Sequence, residues 1–146
     1  MNNTKHYFFF FFVLLTSLSL RAQDGSLFDT FNNEQFKKST GIIYGHTCGI
    51  AGTPPAYRKK LQDLIAEKDT ETLLEWLDAM IPELQVYAAE GIYTLMSQGV
   101  DFDKEVYKTL RKLESRNDKI STCSGCILQT MRMDDLVGMI RIEAGF

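Results

Sequence analysis

The chain of 146 residues holds three prolines, one tryptophan, two histidines and three cysteines. It carries no phosphate-binding glycine loop, no HExxH pair and no serine nucleophile elbow, so the common catalytic signatures are missing. Strand signals are scarce, with Gly41 to Tyr44 and Ile127 to Met133 the weak exceptions. Clustered lysine and arginine are also scarce. Acidic residues number 19 against 16 basic ones, which disfavours a nucleic-acid backbone as partner. The short run Arg58-Lys59-Lys60 reads as the wet face of an amphipathic helix.

No acidic residue precedes Asp24, and the opening residues follow the plan of a secretory signal peptide. Lys5 supplies the positive region. Tyr7 to Leu15 is an unbroken apolar run that includes Phe8 to Phe12, and Ala22 offers a small residue for cleavage. The run is too short for a spanning helix, which needs about 20 apolar residues. No cysteine lies near the cut to carry a lipid. The expectation is a signal peptide over residues 1–22 and a periplasmic or secreted protein with no membrane span after cleavage. Loss of Lys5 and Arg21 leaves 14 basic residues against 19 acidic ones, a net charge of −5.

What remains has room for one modest core. Residues 23–55 read as an N-terminal cap and a Gly-rich connector. The cap holds Leu27, Phe28, Phe31 and Phe36; the connector carries His46 and Cys48. Residues 56–116 read as a core of helical hairpins. Thr53 and Pro54 can start the first helix, with Tyr57, Leu61, Leu64 and Ile65 at helical spacing. Asp69 or Thr70 can cap a second, lined by Leu73, Leu74, Leu77 and Met80. Pro82 opens a third, and Gly99 is a left-handed stop followed by apolar Val100. Asp103 can cap a fourth, with Val106, Tyr107, Leu110 and Leu113 inward and Asn117 as its stop. Residues 117–146 hold a CxxC turn and a last helix that Asp134 can cap. The expected class is all-α, a small stack of antiparallel helical hairpins.

Leu73-Leu74-Glu75-Trp76-Leu77-Asp78, followed by Pro82-Glu83-Leu84-Gln85-Val86-Tyr87-Ala88-Ala89-Glu90-Gly91-Ile92, resembles one short HEAT-type repeat at about residues 70–97. Gln85 stands where the pattern has Arg, and Gly91-Ile92 where it has Ala-Leu. No second copy of the motif is present. The resemblance implies stacked helical hairpins and a surface that binds a partner protein, whose identity is unknown.

The chemistry-bearing residues are His46, Cys48, Cys123 and Cys126. Three cysteines in an oxidising compartment allow one internal disulfide and leave one thiol over. Cys48 joined to Cys123 or Cys126 would close a loop of more than 70 residues. Alternatively, one CxxC, one further cysteine and one histidine make a Cys3His donor set suited to zinc, or Cys123 and Cys126 form a redox pair. Met131, Met133 and Met139 read as core filler rather than a copper site. No residue is assigned a catalytic role. The sequence thus points to an exported, non-catalytic helical adaptor stabilised by a disulfide and without a cofactor, with the zinc or thiol protein as the alternative.

Overall fold

A computed structural model describes residues 41–146, which lie within one compact unit, Asn32–Phe146. The stretches expected to form a signal peptide and an aromatic cap lie outside the described residues. The elements run β1 (Tyr44–Cys48), α1 (Ala56–Glu67), α2 (Thr70–Leu77), α3 (Pro82–Ser97), α4 (Lys104–Leu113), β2 (Lys119–Gly125), β3 (Ile127–Arg132) and α5 (Met133–Glu143).

Each helix boundary has a local cause. Lys68 turns left-handed at φ 53°, so the Asp69 amide reaches back to the Leu64 carbonyl at 2.9 Å and closes α1. Asp69 then caps α2, accepting from the Thr72 amide at 3.0 Å and its hydroxyl at 2.7 Å. These bonds hold the Asp69 carboxyl below its usual pKa. Pro82 sits at the start of α3, where a missing N–H costs nothing. Gly99, at φ 85°, ends that helix while the Val100 amide bonds Leu95 O at 3.0 Å. Asp103 accepts from the Glu105 and Val106 amides and starts α4. No side chain caps α5. Its first amides, of Met133 and Asp134, go instead to the carbonyls of Asp118 and Arg116.

The strands form one mixed sheet in the order β1-β2-β3. β1 runs parallel to β2, and the crossover between them contains α1 to α4. β2 and β3 form a hairpin in which Ser124 faces Ile127. Its two-residue turn places Gly125 at φ +55°, the first central position of a tight hairpin turn.

This sheet overturns the all-α expectation. β1 lies inside the stretch that reads as an irregular connector. β2 consists mainly of Ser, Thr, Cys and Gly, whose local preference for strand is weak. Its buried Ile120, Thr122 and Cys123 gain their conformation from pairing and packing.

The HEAT-like reading fails with it. α2 and α3 do pack as a hairpin, but α3 also packs against α1, α5, β1 and β2. Its apolar residues are therefore covered on several sides, with Val86, Tyr87, Ala88, Ala89, Ile92 and Leu95 fully buried. A stacked repeat would turn one such side to another repeat. Gln85, where the repeat pattern has Arg, donates to Leu77 O at 3.0 Å and accepts from Arg116 at 2.7 Å. Met80, expected inward on α2, is 99% exposed in the turn after that helix.

Candidate functional site

The expected chemistry lies where β1 meets β2. Gly45 pairs with Cys123 and Cys48 with Gly125, so β1 carries one extra residue between these two pairs. Such a bulge kinks the strand, and exposed His46 falls inside it. Cys48 and Cys123 are joined in a disulfide with their Cα atoms 5.5 Å apart, at a sequence separation of 75. A Cβ on Gly45 would come 2.7 Å from Cys123 Sγ, so the approach of the strands requires glycine there. The Gly49 amide donates to Gly125 O at 2.8 Å and ties the following loop to the hairpin tip. Cys126 occupies the second turn position as a free, exposed thiol.

Two of the four sequence-selected residues are thus covalently joined, Cys126 follows two residues after Ser124 at the same end of the sheet, and His46 lies on the bulge. Bridged sulfurs are not thiolates, and the thiolate is the form that binds zinc. Among the described residues, no group of three or more His, Cys, Asp or Glu side chains is placed to hold a metal ion.

A second constellation was missed by the sequence reading. Arg58, expected on the wet face, is 4% exposed. Its guanidinium makes a two-pronged pair with Glu90 on α3, with Nη2 to Oε2 at 2.8 Å, and its Nε donates to Gly45 O at 2.9 Å. The Tyr44 hydroxyl donates to Glu90 Oε2 at 2.8 Å. The Tyr87 hydroxyl donates to Ile43 O at 2.8 Å and accepts from the Gly45 amide at 3.2 Å. Both rings lie beside the guanidinium, at 5.4 and 5.1 Å from centroid to Cζ.

Burial raises the pKa of Tyr44 well above the usual phenol range, and the Glu90 carboxylate adds to this. Burial pushes Tyr87 up to about 12, against the lowering pull of Arg58. For Arg58, burial works against the charge, and the bonds to Glu90 outweigh it and raise the pKa. The cluster fastens β1 to α1 and α3. Every polar group in it is engaged within the fold, so it holds structure and presents no acid or base to a substrate. Helical spacing gave a signal that was overlooked: Arg58, Leu61 and Ile65 share a stripe, whereas Lys59 and Lys60 do not.

The third feature is the outer edge of the sheet. β3 pairs with β2 on one side, and no strand among the described residues pairs with the other. Residues 127–130 are exposed on both faces, with Ile127 at 64% and Leu128 at 48%. The tight turn closes on Ser124 and Ile127, so backbone pairing alternates along the hairpin. The amides of Leu128, Thr130 and Arg132 then point away from β2. Sheet edges are usually blunted by proline, lysine or a bulge. β3 carries none of these, only Arg132, which is paired with Asp134.

Compared with known proteins, the chain matches no family model, no curated protein and no solved structure. The described residues form a disulfide-stapled domain of helices and a mixed sheet, in which no described strand pairs with the outer edge of β3.

Proposed function

We propose that this chain is an exported, non-catalytic interaction protein that takes an extended segment of a partner protein onto the outer edge of β3. The observation that carries this reading is the unblunted edge, with outward amides and exposed Ile127 and Leu128. Strand addition uses such edges: main-chain hydrogen bonds supply affinity, and alternate side chains supply selectivity. The apolar leader over residues 1–22 supports export. The Cys48–Cys123 disulfide fits an oxidising compartment. The cysteines act as a staple in this reading, and the Arg58–Glu90 cluster holds the sheet rigid beneath the edge.

The test places a photo-crosslinking residue at Gln129 and recovers the protein from its native compartment. The expected result is a chain cleaved after Ala22 that forms a discrete adduct with one other protein. Thr130→Pro removes one outward amide and leaves the β2 ladder intact, so it should abolish the adduct while the circular dichroism stays unchanged. An adduct that survives this substitution, or hydrolase or transferase activity in the pure protein, would overturn the proposal.

A further inference from the structure

One side of α4 has no part in strand addition. Lys104, Tyr107, Lys108, Arg111, Lys112 and Ser115 recur at steps of three and four and line a hollow of about 550 Å³. No acidic residue is among these six. Lys108 pairs with Glu105 at 3.3 Å in an exposed contact, and Lys104, Arg111 and Lys112 form no ion pair among the described residues.

This concentration of positive charge runs against the chain as a whole, whose net charge is −3. It also runs against helix physics. Lys104/Lys108 and Lys108/Lys112 are like charges four residues apart, and Lys108/Arg111 three apart, spacings at which repulsion weakens a helix. The helix dipole accounts for Arg111 and Lys112 in the last turn but opposes Lys104 in the first. A bound anion would relieve all of these at once.

We propose that the α4 hollow is a binding site for a phosphoryl-bearing ligand. Four cations exceed what one carboxylate can neutralise. The Arg111 fork and the Tyr107 hydroxyl are donors matched to an anion with several terminal oxygens. Lys104 to Lys112 spans roughly 12 Å along the helix, enough for more than one phosphoryl group. A free phosphorylated molecule and a lipid headgroup share this chemistry.

The test uses two probes on the mature protein at low salt. Inositol hexakisphosphate is titrated calorimetrically, and phosphatidylcholine vesicles with and without phosphatidylglycerol are co-sedimented. Saturable binding to at least one probe is expected. Lys104→Gln/Lys108→Gln should weaken it by roughly tenfold or more. Lys59→Gln/Lys119→Gln, which removes two cations elsewhere, should change it less than about twofold. Thermal melts confirm that both variants fold. Binding to the soluble probe alone assigns a free ligand, and binding to anionic vesicles alone assigns a headgroup. Saturable binding to neither, or equal loss in both double variants, would overturn the proposal.

Discussion

Glu90 gives both carboxylate oxygens to groups from other elements: Oε1 to Arg58 on α1, Oε2 to Arg58 and to Tyr44 on β1. Removing one partner of such a buried pair leaves the other charge uncompensated, which costs about 3–5 kcal/mol. Glu90→Leu is therefore expected to lower the urea midpoint sharply. Arg58→Met/Glu90→Leu should lose less than Glu90→Leu alone, because no stranded charge remains. Tyr87 sets a second residue-scale expectation. The unfolded chain releases its phenol proton near pH 10, the folded chain at about 12. Above pH 10 the folded state then binds more protons than the unfolded state, so stability falls as pH rises. The contribution is whole below pH 10 and lost as pH passes 12. Urea midpoints between pH 8 and 12 should decline on the alkaline side only, and Tyr87→Phe should flatten that decline.

Among the elements, α3 shows what a repeat-like sequence does in a different setting. Gly91 reads in sequence as a mild departure from Ala. In the fold, a Cβ there would come 2.7 Å from Leu73 Cδ2 and 2.9 Å from Leu61 Cδ1, and both leucines are fully buried. Gly91→Ala gains about 1 kcal/mol of helix propensity and incurs overpacking of about 1–3 kcal/mol, so a lower melting temperature is expected. Gly138 on α5 is the contrast, since a Cβ there meets nothing within 4 Å. Gly138→Ala should stabilise by about 0.5–1 kcal/mol in the same assay.

The helices were legible because their signals are local: Asp69 and Asp103 as caps, Pro82 as a start, Gly99 as a stop. Asn117 was misread as a stop, since α4 ends at Leu113. The strands were poorly legible because their cause is distant. β2 pairs with a segment 77 or 78 residues earlier, and Lys-Ile-Ser-Thr-Cys-Ser-Gly has too little apolar alternation to declare itself. Of the candidate site, the joining of Cys48 to the CxxC turn is legible in the sequence, but not which of its two cysteines takes part. Arg58 was hidden by the two exposed lysines that follow it.

For the whole molecule, the disulfide joins residues 75 positions apart. Constraining a loop of that length in the unfolded chain is worth about 4 kcal/mol in the chain-entropy account. Reduction, or Cys48→Ser/Cys123→Ser, should lower the unfolding free energy by a corresponding amount and steepen the slope, because the unlinked denatured chain is less compact. Cys126→Ser should leave the midpoint where it is. Side-by-side urea titrations of the three proteins check both expectations.

The parallel register of β1 and β2 also imposes an order in time. A ribosome adding about 5–20 residues per second delivers Cys123 roughly 4–15 s after Cys48. Throughout that interval β1 lacks its strand partner β2, and Cys48 its disulfide mate. Cys126 follows Cys123 within about a second, so the two candidate mates of Cys48 arrive nearly together. Closure of the sheet waits for β2, and an early adduct on Cys48 would hold the domain open.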